Sequence, residues 1–297
     1  MATVDLSELP PPEIIATLDY ETILSEVKVV IIAAYPEDMQ PAIAAAMALE
    51  SEPLNVIAQV IAYRELMLRQ VINDGAAACM LSHATGNDLD NLAANNDTER
   101  LTVIEETDTT DAVMESDAAL RMRAQSAFEG LSVAGPTGAY EYFAKSASGK
   151  VADVKASSPA PAEVVVSVLS AEGDGTASDE LIATVNAKLS DESVRPVGDR
   201  LTVQSAEIIS YDINVTLYLY PGPELEPIMN AAEASLQKWL KSQWRIGLDV
   251  ARSAIMAALH VQGVQRVELD LPERLIISDT QAARCASVTI TRGGTDE

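Results

Sequence analysis

Apolar positions along the first hundred residues repeat at helical spacing. Leu54, Ile57, Ile61, Leu68 and Ile72 follow one another at intervals of three, four, seven and four, which puts them on one stripe of a helix that begins after Pro53. Gly86 can take the left-handed conformation of a C-terminal cap, so it is read as the end of that helix. Asn87 or Asp88 then caps a second, short helix that turns Leu89 and Leu92 inward, with Asp90 between them. The expected unit is a long helix, a corner at Gly86, Asp88, Leu89, Asp90 and Leu92, and a bracing turn. Such a helix must bury its stripe against other helices, from this chain or from another. A glycine inside it, Gly75, costs about 1 kcal/mol relative to alanine and is a place for it to kink or stop early.

Upstream, residues 1–12 read as a polar arm that ends in Pro10-Pro11-Pro12 and is stiff and extended. From Glu13 on, Ile14, Leu18, Ile23, Val27 and Val30 keep a helical period with a break near Asp19, until Pro36 stops it. Pro41 opens an alanine-rich helix over Ala42–Leu49. Residues 13–100 therefore form a helical region of three or four helices with short corners.

After Arg100 the pattern changes. Leu101–Ile104 is extended, Glu105–Asp111 is an acidic exposed loop, and Ser116 caps a helix that runs to Gly130 with Leu120, Ala124, Ala127 and Leu131 inward. A turn at Gly135–Gly138 leads into a helix over Ala139–Ser148. Residues 101–150 thus connect the helical region to the strand-rich remainder of the chain.

From Lys150 the period switches to two. Val151–Lys155 alternates, Glu163–Leu169 is a strong strand, a helix covers 178–190, and Arg200–Gln204 is again a strand. The order then looks repeated. Ile208–Tyr220 is a long strand with Ile213, Val215, Leu217 and Leu219 on one face, followed by helices over Pro223–Lys241 and Val250–His260 and strands over Gln265–Leu269 and Ala286–Thr291. Two strand–helix–strand units, 151–206 and 207–297, each with helices on one side of an antiparallel sheet, make the fold class α+β: an N-terminal helical segment with a long helix, then tandem small α+β domains.

Composition narrows the function. Of 297 residues 48% are apolar but only 4% aromatic, so the core is aliphatic and alanine-rich, with few of the rings that line small-molecule pockets. Twenty basic against 45 acidic residues leave a net charge of −25. That excludes nucleic-acid binding, which needs clustered Lys and Arg to displace counterions, and docking on anionic lipid. It suits a soluble assembly component that is steered toward basic partners, and equally a protein kept soluble by its charge. Cys79 and Cys285 lie far apart and read as small buried hydrophobes, neither a disulfide nor a metal pair. The opening Met1-Ala2-Thr3-Val4-Asp5 carries no signal-peptide pattern, and Val29–Ala34 is too short to span a bilayer. No membrane insertion is expected, and assembly is expected in a cytoplasm.

Candidate chemistry is sparse. His83 and His260 both close helices, where bonding to the last carbonyls accounts for them. No Gly-x-Ser-x-Gly elbow, no phosphate loop ending in Gly-Lys-Ser/Thr and no His-Glu-x-x-His pair is present. Asp88 and Asp90 are the best acid–base pair on offer, but capping and dipole roles explain them. Glu172–Gly175 and Asn87–Asp90 miss the twelve-residue calcium pattern. Tyr218, Tyr220, Trp239 and Trp244 fall at strand and helix periods, as core or rim. No catalytic, metal or cofactor residues are expected.

The run Glu52-Pro53, Arg64-Glu65, Arg69, Asn73, Ala84-Thr85-Gly86-Asn87-Asp88-Leu89-Asp90-Asn91-Leu92-Ala93 and Arg100 resembles the baseplate J-like family of contractile-tailed phages. Glu115-Ser116-Asp117 with Leu120-Arg121 and Arg123, Gly135 with Tyr140, Val151–Val154 and Arg195-Pro196-Val197 extend the resemblance over roughly residues 50–292. It implies a virion protein of the tail baseplate: a wedge subunit whose N-terminal helices, with Leu54, Ile57, Ile61, Leu68 and Ile72 at the interface, join a bundle. That bundle is shared with a second copy of the chain and a smaller wedge protein, near a sheath-initiating, lysozyme-like wedge subunit. The α+β domains would link neighbouring wedges into a ring around the central spike hub. A host-envelope or glycan-binding tail module is the alternative.

Overall fold

The computed structural model describes residues 6, 9–12, 14, 18–107, 109–132, 134–221 and 225–294. Most of the N-terminal arm, the start of the helix expected from Glu13, and Pro223 lie outside the described residues. The chain forms two compact units, Met1–Asp97 and Thr98–Glu297, each treated by itself.

The first unit is helical: α1 (Tyr20–Ala33), α2 (Gln40–Met47), α3 (Pro53–Ala78) and α4 (Gly86–Ala94). The break near Asp19 is a cap, since the Asp19 carboxylate accepts the Thr22 N–H at 2.8 Å and so starts α1. Pro41 and Pro53 sit in the first turns of α2 and α3, where no intrahelical N–H is required. The core holds Ile23 and Leu24 of α1, Met47 of α2, and Ala58 and Ala62 of α3, with Leu54 and Leu66 packed beside them. The inward seam of α3 is therefore 54, 58, 62 and 66, an i, i+4 row in which two alanines let α1 come close. Of the five stripe residues only Leu54 reaches this core. Ile57, Ile61, Leu68 and Ile72 stand 44% to 59% exposed, because the large aliphatic side chains lie on the neighbouring face.

Gly86 corrects an expectation. The long helix runs through Gly75 but ends at Ala78, and the chain turns over residues 79–83. Gly86 has φ +54° and opens α4 with Thr85 at its N-cap, so neither Asn87 nor Asp88 is the cap. Its left-handed conformation serves the entry to α4, not the end of α3. Leu89 and Ala93 are fully buried, Leu92 and Asp90 are half-buried, and Asp88 lies exposed in the first turn. Cys79 is exposed, not buried, since it falls just past the helix on the outer side.

The second unit opens with a small antiparallel pair, β1 (Thr102–Ile104) and β2 (Val113–Met114). Then come α5 (Asp117–Ser126), capped by Ser116, a 3-10 turn at Ala127–Leu131, and α6 (Thr137–Lys145). Leu120, Ala124 and Ala127 are buried as expected, but Leu131 is 75% exposed. The tighter 3-10 winding advances the phase by three residues per turn and carries Leu131 out of the stripe.

Strands β3 (Val151–Ser157), β4 (Glu163–Ser170) and β5 (Arg200–Ser205) form one sheet in that order, with α7 (Asp179–Leu189) crossing from β4 to β5. Its core joins Val154 and Ala156, Val164, Val166 and Val168 to Tyr140 and Ala144 of α6 and to Leu181, Val185 and Leu189 of α7. The last part comprises β6 (Glu207–Leu219), α8 (Leu225–Gln243), β7 (Val250–Ala251), α9 (Arg252–Leu259), β8 (Val264–Leu269), β9 (Arg274–Leu275) and β10 (Gln281–Arg292). Ile213, Val215, Leu217 and Leu219 pack against Ala232 and Leu236 of α8 and Ile255 and Leu259 of α9.

The fold class is α+β, but neither three-stranded sheet is wholly antiparallel and the order does not repeat. In the first sheet β3 and β4 are antiparallel, and β4 and β5 parallel. In the second the order is β10-β6-β8, with β6 and β8 antiparallel and β10 parallel to β6. Alternation reports which face of a strand is buried and is blind to its direction, and direction is what separates the two arrangements.

Replacing Gly86 by Val is expected to strain the entry to α4 by about 1–2 kcal/mol with little loss of total helix. A midpoint of urea unfolding left unchanged, at equal far-ultraviolet dichroism, would contradict this role.

Candidate assembly surface

The described residues line an open hollow of about 520 Å³ beside Asn214, Thr216, Glu268, Asp270, Thr289 and Thr291, and α3 carries a longer, apolar surface. On α3, two adjacent rows of large apolar side chains point outward: Val56, Val60, Tyr63, Met67 and Val71 beside Ile57, Ile61, Leu68 and Ile72. Between Tyr63, Arg64, Met67, Leu68 and Val71 runs a shallow groove of about 300 Å³. Val29 and Val30 of α1 are exposed as well. A helix of 26 residues is about 39 Å long, so the patch extends over several turns. A monomer rarely shows an apolar strip of that kind to water. Arg69 holds the inner side together, pairing with Glu65 on its own helix and with Glu26 of α1 at 3.3 Å.

The second unit is braced by buried polar contacts that sequence reading located only as motif positions. Arg123 and Glu115 form an ion pair whose side chains are each 7% exposed. Arg123 Nε and Nη2 donate to the two carboxylate oxygens at 2.9 and 2.7 Å, Nη1 donates to Ser146 Oγ at 3.2 Å, and Nη2 also reaches the Glu99 carbonyl. Glu115 accepts the Leu101 N–H at 3.2 Å as well. Beside it Arg100 donates to the Glu115 carbonyl (2.6 Å) and to Asp117 Oδ1 (2.7 Å). So many bonds to each charge repay desolvation that an unassisted pair would not recover. The signal for this node was present: Arg123 lies between Leu120, Ala124 and Ala127 on the inward stripe, where a lone arginine needs a buried acid.

Further contacts brace the sheets. Tyr140, 2% exposed, donates its hydroxyl to Asp199 Oδ2 at 2.8 Å, and Gly135, at φ +73°, lies so close to Pro196 that a Cβ would stand 2.6 Å from its ring. Burial, with the Asp199 carboxylate accepting its proton, pushes the Tyr140 phenol well above the usual range. Asp153 pairs with Lys145 (2.7 Å) and accepts the Ile246 N–H (2.9 Å), tying β3 to the segment after α8. A small cluster of Leu169, Ala206, Ile246 and Ala282 packs at the same junction, with Trp244 beside it.

The remaining candidates are placed apart. His83 contacts Ser82 Oγ at 2.7 Å in the turn after α3, and His260 caps α9 on the surface. Asp88 stands on open surface, without the walled cleft that hydrolysis would use. Asp174 accepts the Thr176 N–H at 3.0 Å, and that bond lowers its pKa, as turn chemistry requires. Tyr218 lies under the Arg266 guanidinium at 3.8 Å, Trp239 packs on the second core, and Tyr220 is exposed. Among the described residues no group of three or more His, Cys, Asp or Glu is placed to hold a metal ion, and no helix is long and apolar enough to cross a membrane.

Residues 50–107 match the model of the baseplate J-like N-terminal domain, 132–205 the baseplate J-like central domain and 211–291 the C-terminal domain of baseplate J-like proteins. Baseplate protein J of Escherichia phage P2 is 52% identical over 302 residues, covering 100% of both chains. The chain belongs to the baseplate J-like family. A more distant likeness links it to a chain in the cryo-electron-microscopy structure of the anti-feeding prophage (AFP) baseplate, six-fold symmetrised. It has a TM-score of 0.40 and 15% identity, over 59% of this chain and 43% of that one, too slight to carry an argument. As a baseplate J-like protein the chain is a structural subunit of a phage tail baseplate, and the segment matched to the N-terminal domain contains the outer face of α3 and the corner at Gly86.

Removing one partner of the buried pair, Arg123→Met, should cost about 3–5 kcal/mol, and the double change Arg123→Met/Glu115→Leu should recover most of it; equal losses in a urea-unfolding cycle would refute the coupling. The raised Tyr140 pKa means the unfolded chain loses its proton first. The contribution is therefore complete below about pH 10 and falls away as pH rises through the folded value. Thermal melts should show stability dropping more steeply above pH ~10 in the wild-type chain than in Tyr140→Phe.

Proposed function

We propose that this chain is a wedge subunit of the baseplate. In this reading the outer face of α3, with Ile57, Ile61, Leu68 and Ile72, is covered in a helical bundle by a second copy of the chain and by a smaller wedge protein. A sheath-initiating, lysozyme-like wedge subunit lies nearby, and the unit Thr98–Glu297 links neighbouring wedges into a ring around the central spike hub. The observation that carries the reading is the double apolar row on α3, which the described helices of the first unit leave uncovered while they pack on the alanine side. Family membership and a net charge of −25 support it, since a subunit so acidic stays apart from its copies until a specific surface engages.

Ile61→Asp tests it. Because Ile61 is exposed in this chain, the change should alter the melting behaviour of the isolated protein little, within about 0.5 kcal/mol, yet abolish co-purification with the co-expressed smaller wedge protein. Undiminished co-purification would show that this face does not enter the bundle.

A further inference from the structure

The outer edge of β10 differs from the other sheet edges of the second unit. β3 has seven residues, and its Ala156 N–H is taken by the Glu141 carboxylate at 3.2 Å. β8 has six residues and carries Arg266 and Glu268, and β5, the other edge of the first sheet, also has only six. Short strands, charges and side-chain caps are how sheets keep their edges from pairing. β10 runs for 12 residues, contains no carboxylate, and ends in the alternating Ser287-Val288-Thr289-Ile290-Thr291, a sequence well suited to pairing.

The register decides which groups face outward. Gly293 donates its N–H to the Leu217 carbonyl at 2.9 Å, and bonding residues alternate along a parallel ladder. Thr289 and Thr291 therefore turn their backbone groups to β6, while Val288, Ile290 and Arg292 turn theirs to the open side. Among the described residues that side is met only at the start of the strand, where Ile246 bridges Ala282 and Gly247 N–H donates to the Gln281 carbonyl at 2.9 Å.

We propose that β10 pairs antiparallel with β10 of a second copy about a two-fold axis through Ile290, joining two three-stranded sheets into one. The inference rests on the part of the proposed wedge function in which the unit Thr98–Glu297 links neighbouring wedges, and it names a surface for that link, separate from the outer face of α3. The pattern is self-complementary: Ile290 faces Ile290, Val288 faces Arg292, and all the outward N–H and C=O groups of these residues find partners. On the open face Thr289 comes opposite Thr291, extending the hydroxyl contact already made between Thr216 and Thr291 at 3.0 Å. Charge selects the occupant. In a chain of net charge −25 this strand carries only Arg284 and Arg292, so two copies meet here without opposing carboxylates, whereas a basic partner is drawn to other faces.

The test uses the full chain with Cys79→Ala, keeping Cys285, so that the parent protein sets the baseline. Thr289 and Thr291 form non-hydrogen-bonded cross-strand pairs across the axis, with Cα atoms about 4.5 Å apart, within disulfide range. Thr289→Cys/Thr291→Cys should give a disulfide-linked dimer of about 63 kDa, twice 31.6 kDa, on mild oxidation. Either single variant should give none, and a mixture of the two should restore it. Ile290→Pro, which removes an outward N–H and no bond to β6, should bring the light-scattering mass back to that of a monomer with its dichroism retained. In the unaltered chain the Val288 and Ile290 amides should gain protection from hydrogen exchange as concentration rises.

A chain that stays monomeric at tens of micromolar overturns the proposal. So does a dimer that resists cross-linking at these positions, or cross-linking only to some other protein. If Ile61→Asp still blocks co-purification in any of these cases, the wedge reading stands and only the edge pairing has failed.

Discussion

The close approach of α1 to α3 is the constraint on which the first unit is built. Ala58 and Ala62 are fully buried at that contact, and small side chains there bring the two helices together with Ile23, Leu24 and Met47 filling the space around them. A helix has one circumference to divide. Once the alanine row is spent on α1, the rows of Val, Ile, Leu, Tyr and Met must point away from it. The unit thereby satisfies its own core on the alanine side and leaves Ile57, Ile61, Leu68 and Ile72 exposed. An aliphatic strip on a rigid helix of 26 residues is a preformed surface, so covering it orders little that is not ordered already.

The second unit solves a different problem, which is to hold two small sheets in a fixed relation. Its aliphatic cores lie separately, under α6 and α7 for one sheet and α8 and α9 for the other. What joins them is a small cluster around Leu169 and Ile246 and the carboxylate of Asp153, which bonds both Lys145 and the Ile246 amide. At the other end, the Arg123–Glu115 pair gathers carbonyls and hydroxyls from segments far apart in the chain. Directional polar contacts specify geometry where non-directional apolar contacts would allow sliding.

Much of the architecture was legible in the sequence because it rests on local chemistry. Asp19, Ser116 and Ser178 cap helices by the short side-chain bonds that their types favour, Pro41 and Pro53 open helices, and Ile213 to Leu219 alternate as a half-buried strand must. Among the misreadings, a left-handed glycine was assigned to the wrong helix end. The 3-10 winding that displaced Leu131, and the parallel pairing of β10 with β6, depend on contacts that no local window contains.

By itself, the amino-acid order determined where most helices and strands form and that the protein is α+β, because period, capping and composition act within a few residues of each position. Only the tertiary structure decided which apolar row each helix keeps and which it offers, the direction of each strand, and the meeting of Glu115 with Arg123, Tyr140 with Asp199 and Asp153 with Ile246. Those outcomes turn on volume and distance between segments far apart in the chain, and such quantities exist only once the chain has folded.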